Sequence, residues 1–142
     1  MPPLRFPLAP IRVTLATSSP TTTGIPNVKI CIYGAGAIGG YLAGSLAKAG
    51  VEVSIVVRGA HLAAIQAKGL TVETKEGTFH TTPRASANPA DLGPQDAVLV
   101  TVKAPSLPSV AASVAPLLKA DTPVVCVTNG VPWWYFQALD DS

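Results

Sequence analysis

Charge is what this chain has least of. Only 13% of its 142 residues are Asp, Glu, Lys or Arg, about half the usual share, and the net charge is +2. So weak a field gives no reason to expect nucleic acid as a partner. Cysteine is nearly absent. Cys31 and Cys126 cannot form a disulfide scaffold, and such sparing use points to a reducing compartment, the cytoplasm. Length is also short: 142 residues fit one domain and exclude a large two-domain enzyme. A long apolar span is missing as well. The run 30–47 has 18 uncharged residues, the short limit for crossing a bilayer. Its five glycines weaken a helix and Ile30–Tyr33 favours strand, so no membrane span is expected. No internal repeat is apparent.

Residues 1–27 lack acids altogether and hold six of the fourteen prolines. Pro7, Pro10 and Arg12 break any signal-like apolar stretch, and Arg5 and Arg12 are few for a transit peptide. This segment reads as a disordered or spurious N-terminal extension, leaving 28–142 for the fold.

From Val28 the pattern is that of alternating strands and helices. Val28–Tyr33 is β-rich and ends at Gly34; Ile38, Leu42, Leu46 and Ala49 then recur at helical spacing before Gly50. Val51–Val57 predicts a second strand, followed by a short helix closing before Gly69. Leu70–Thr74 and Thr78–Thr82 flank Lys75-Glu76-Gly77 as a hairpin. Pro83 to Pro94 reads as loop. Asp96–Val102 is an apolar run suited to a parallel strand buried on both faces. Leu107, Val110, Val114 and Leu117 predict a helix with Pro108 in its first turn, and Pro123–Thr128 a last strand. The expected product is an α/β domain, a Rossmann-like doubly wound parallel sheet, incomplete at its C-terminal side.

Gly34-Ala35-Gly36-Ala37-Ile38-Gly39 fits G-x-G-x-x-G, and its place between strand and helix makes it a dinucleotide-binding candidate. Gly34 permits the tight turn, Gly36 lets a pyrophosphate approach, and Gly39 lets the helix press on the sheet. The second strand should end in Asp or Glu for NAD. Here it ends in Val56-Val57-Arg58, with Arg58 19 residues after Gly39. A guanidinium matches a 2′-phosphate, so NADP is expected; the bland alternative is a surface arginine. Lys103 and Asn129 follow the next two strands and should join Gly34 and Arg58 at the carboxyl edge of the sheet. Their competing readings are a solvated charge and an ordinary Asn-Gly turn. His61 and His80 lie on different elements without an acidic partner, so neither a metal nor a triad is supported. Cys31 and Cys126 sit within strands and read as small core residues.

Taken together, KICIYGAGAIGGYLAGSLAKAG, IVVRGAHLAAIQAKGL, DAVLVTVKA and VTNGVPWWYF make the chain resemble ketopantoate reductase (2-dehydropantoate 2-reductase). The resemblance implies NADPH-dependent reduction of a 2-keto acid, 2-dehydropantoate, to pantoate on the way to coenzyme A. It implies that Arg58 holds the 2′-phosphate, that Lys103 binds and orients, and that Asn129 lies near the nicotinamide and substrate. Ser106 stands where many members carry Gln, which leaves the cofactor contact there open. The family's catalytic residues belong to a second, helical domain that maps onto nothing before Ser142, so no catalytic residue is assigned. Trp133, Trp134, Tyr135 and Phe136, half of the eight aromatics, call for burial against that missing domain or a partner chain. Two readings stand: the cofactor half of the reductase, or a free-standing NADP-binding module or remnant. A relative acting on another 2-keto acid is a narrower alternative.

Overall fold

Consecutive apolar residues that pack on both sides of a strand set the architecture. In β1 (Lys29–Tyr33), Cys31, Ile32 and Tyr33 are all buried, yet successive side chains point to opposite faces. Cys31 and Tyr33 join Val98, Val100, Val110 and Leu117 on one face; Ile32 joins Ala43, Val53, Ile55 and Ile65 on the other. The computed structural model describes residues 27–130. The extension expected over 1–27 lies, Asn27 apart, outside the described residues, as do Trp133, Trp134, Tyr135 and Phe136.

Along the chain, β1 leads to α1 (Ala37–Lys48), β2 (Glu52–Val56) and α2 (Gly59–Lys68). A hairpin of β3 (Leu70–Thr74) and β4 (Gly77–Thr81) follows, then β5 (Arg84–Ser86), β6 (Ala97–Val100), α3 (Leu107–Ala111) and β7 (Val124–Cys126). The sheet runs β5-β2-β1-β6-β7 with every pair parallel. α1 and α2 pack on one face and α3 on the other. This is the Rossmann-like doubly wound sheet, and its order reverses between β1 and β6. Among the described residues no helix is long and apolar enough to cross a membrane.

Three expectations are corrected. The loop expected over Pro83–Pro94 contains β5, whose short polar run has no alternation to show; pairing with β2 makes it a strand, Ser54 opposite Arg84 through Val56 opposite Ser86. The helix expected to continue to Leu117 stops at Ala111, and a single 3-10 turn covers Ala115–Leu117. Pro116 is the cause: its ring clashes with the carbonyl four residues back and it has no N–H to donate. Cys126 is exposed rather than core, because β7 is the outermost described strand. Cys31 is buried as expected, and burial pushes its thiol up to about 11.

Gly44 in α1 seats the hairpin, and Gly40 leaves room to spare. A β-carbon on Gly44 would come 2.4 Å from Val72 Cγ2 and 3.3 Å from Phe79 Cε2; one on Gly40 would meet nothing closer than Leu70 Cδ1 at 3.9 Å. At the amino ends of the strands the Asp96 carboxylate accepts from the Lys29 N–H at 2.7 Å and from the Lys119 ammonium. The Lys119 and Lys29 bonds hold this carboxyl below the usual carboxylate range.

Two outcomes are expected. Gly40→Ala should be neutral or stabilise by up to about 1 kcal/mol through helix propensity. Gly44→Ala should destabilise by about 1–2 kcal/mol, since overpacking against Val72 outweighs that gain; urea denaturation of the two variants checks the contrast. The lowered Asp96 carboxyl contributes stability above its unfolded value, about 3.9, and loses it as pH falls through the folded value. Asp96→Asn should therefore lower the urea midpoint at neutral pH, with the difference from wild type vanishing in acid.

Candidate functional site at the carboxyl edge of the sheet

The glycine turn is a place where three chain segments meet with no room to spare. Gly34 leaves β1 at φ +111°, a conformation that favours glycine, and its N–H donates to the Val56 carbonyl at 2.9 Å. A β-carbon on Gly39 would lie 2.0 Å from the Gly34 oxygen and 2.4 Å from Thr101 Oγ1. Any larger residue there would drive α1 off the sheet. Gly36 is different: a β-carbon on it would meet nothing within 4 Å. The space beside Gly36 is open to the crevice. Gly36 also caps α1, which has neither a side-chain cap nor an acidic residue in its first turn. The free N–H groups of that turn keep their partial positive charge for an anion.

Thr101, just past β6, holds this turn together, and sequence reading passed over it. Its hydroxyl donates to the Gly34 carbonyl at 2.8 Å, and its N–H donates to the Tyr33 carbonyl at 3.0 Å. The signal was present as the one polar residue inside Ala97–Val102, an otherwise apolar run. Its neighbour Val102 packs against the α3-side core, and its Cγ1 would lie 2.9 Å from a β-carbon on Gly34.

Two cavities lie side by side along this edge, sharing Val102. One, about 240 Å³, is lined by Tyr33, Gly34, Val56, Arg58, Ser106 and Ser109 among others. Tyr33 is buried and anchored there, its hydroxyl 2.7 Å from Ser113 Oγ. The other, about 490 Å³, is lined by Gly36, Ala37, Ile38, Thr101, Lys103 and Asn129 among others. Arg58 thus sits at one end of the crevice, and Lys103 with Asn129 at the other. Ala35 lines a third cavity, beside Gly36, Ala37 and His61. Arg58 and Lys103 are exposed cations, and among the described residues neither of the first two cavities has an acid in its lining. The arrangement can hold an extended polyanionic ligand across the point where the strand order reverses. His61 lies in the first turn of α2, and His80 pairs with Thr71 Oγ1 on the hairpin at 3.1 Å. Among the described residues no group of three His, Cys, Asp or Glu could hold a metal.

A 2-dehydropantoate 2-reductase of Mesorhizobium japonicum is 53% identical over 114 residues, which is 79% of this chain and 35% of the relative. The crystal structure of a PanE/ApbA family ketopantoate reductase from Ralstonia eutropha superposes with a TM-score of 0.70 at 36% identity, over 79% of this chain and 38% of that one. A D-mandelate dehydrogenase solved with NADH and anilino(oxo)acetate superposes with a TM-score of 0.68 at 25% identity, covering 80% of this chain and 37% of that one. The chain spans about a third of the length of the curated relatives it matches. The family model described as ketopantoate reductase PanE/ApbA matches residues 30–132, from inside β1 to just beyond Gly130, so that both cavities fall within the match. This chain therefore belongs to the ketopantoate reductase PanE/ApbA family.

Proposed function

We propose that this chain provides the NADP(H)-binding part of a reductase that converts 2-dehydropantoate to pantoate. The observation that carries the cofactor reading is the opening at Gly36, where bare backbone and an uncapped, acid-free helix end face a crevice with a cation at each end. Gly34, Ala35, Gly36, Ala37, Ile38 and Gly39 would hold the pyrophosphate through backbone N–H groups. Arg58, at the end of β2 where an NAD-binding domain places a carboxylate, would grip the 2′-phosphate with two parallel hydrogen bonds. Lys103 and Asn129 would orient the nicotinamide end and the anionic keto acid. When bound, NADPH supplies the hydride for the ketone carbon. The chain's own part is to bind, to align and to fix the turn through Thr101; proton delivery is assigned to residues beyond those described. The cytoplasm, where pantoate would be made, agrees with a buried, unpaired Cys31. The likeness to D-mandelate dehydrogenase supports a second reading, reduction of a different 2-keto acid.

Titration of the purified chain with NADPH and NADH tests the cofactor assignment. Wild type should prefer NADPH, and Arg58→Ala should erase about one to two decades of that preference, the worth of a charged hydrogen bond. An unchanged ratio would sink the role given to Arg58. The purified chain should also bind NADPH without oxidising it when 2-dehydropantoate is added. Measurable turnover would show that catalysis needs no residues outside this third of the relatives' length.

A further inference from the structure

Two consecutive peptide units at the end of β1 are pinned, and the second leaves one donor free. In the Tyr33–Gly34 unit both groups are bonded. The Thr101 N–H donates to the Tyr33 carbonyl at 3.0 Å, and the Gly34 N–H donates to the Val56 carbonyl at 2.9 Å. In the Gly34–Ala35 unit the Thr101 hydroxyl donates to the carbonyl at 2.8 Å, and a β-carbon on Gly39 would lie 2.0 Å from the same oxygen. No peptide bond among the described residues is cis, so the Ala35 N–H points opposite to that oxygen, away from Thr101 and Gly39. Among the described residues it meets no acceptor. Ala35 lines its cavity together with Gly36 and Ala37, which also line the larger cavity of the crevice.

We propose that Thr101 is a positioning residue for the cofactor: by holding the Gly34 carbonyl, it turns the Ala35 N–H out as a donor to the phosphates of the dinucleotide. The proposal rests on the dinucleotide reading of the crevice. The oxygen and the N–H of one peptide unit lie on opposite edges of a plane, so only one of them can face an anion. Gly34, at φ +111°, has a glycine's freedom, and nothing in its own chemistry decides which edge that is. The Thr101 hydroxyl decides it. Rotation of the unit would leave that hydroxyl and the carbonyl both unpaired, and would present a partial negative charge to the phosphates. The space also suits this side chain, because a β-carbon on Gly39 would already lie 2.4 Å from Thr101 Oγ1. A longer polar group would push α1 away from the sheet.

Titration of the full chain with two ligands tests this. NADPH carries the pyrophosphate; adenosine 2′-phosphate carries the base and the 2′-phosphate without it. Thr101→Val keeps the shape of the side chain and loses the hydroxyl. It should weaken NADPH binding by about tenfold, the lower worth of a charged hydrogen bond, and leave adenosine 2′-phosphate binding unchanged. Thr101→Ser, which keeps the hydroxyl, should restore NADPH binding. In the isotope-labelled wild type, NADPH should shift the Ala35 amide resonance and adenosine 2′-phosphate should not, a reading that requires no variant to fold. The proposal is overturned if Thr101→Val binds NADPH as wild type does, if it loses both ligands alike, or if Thr101→Ser is no better. An Ala35 resonance that NADPH leaves unmoved would overturn it too. Wild type that binds neither ligand would sink the cofactor reading itself, and this proposal with it.

Discussion

The contact of Gly39 with the Gly34 carbonyl and the Thr101 hydroxyl is the constraint on which the rest of this domain depends. It brings the first turn of α1 as close to the sheet as two backbones can come. That closeness aims the helix end at the crevice and leaves Gly36 open beside it. The same contact is made at the one place where the sheet's order reverses, so the loops on either side diverge and leave room for a ligand. A single hydrogen bond of this type contributes about 1 kcal/mol net. The worth of Thr101 is geometric more than energetic: it fixes which way a carbonyl points, and with it the N–H groups that follow.

Around that contact the charges are placed sparingly. A chain with few ionised residues spends two of them, Arg58 and Lys103, at opposite ends of one crevice, with no carboxylate among the described residues of its lining. The low overall charge and the local field are thus parts of one design. The interior strands need apolar residues on both faces, and two of the ten Lys and Arg residues stand just past the carboxyl ends of β2 and β6.

Most of the architecture was legible in the sequence, because the signals were local. Strand runs such as Ile30–Tyr33 and Val98–Val100, the helical spacing after Gly36 and the hairpin around Lys75-Glu76-Gly77 all show their period within a few residues. What was hidden depended on partners distant in sequence. Arg84–Ser86 becomes a strand only because β2 lies beside it. The exposure of Cys126 follows from the place of β7 in the sheet, which no local pattern encodes. The break of the last helix was legible at Pro116, but the spacing of Val110, Val114 and Leu117 outweighed it in reading. Of the site, the glycines, Arg58, Lys103 and Asn129 were visible from type and position. Thr101 was not, because a threonine in a strand is ordinary until its acceptor, a carbonyl 67 residues away, is known.

Three consecutive residues at the end of β6 do three separate jobs. Thr101 faces the glycine turn, Val102 faces the α3-side core and divides the crevice, and Lys103 stands at its mouth. The chain bends at Val102, just past the strand, so each role belongs to a position as much as to a residue type. Insertion or loss of one residue here would take the hydroxyl away from the Gly34 carbonyl that it holds. This short stretch can drift by substitution, but a change in its length would exchange all three roles at once.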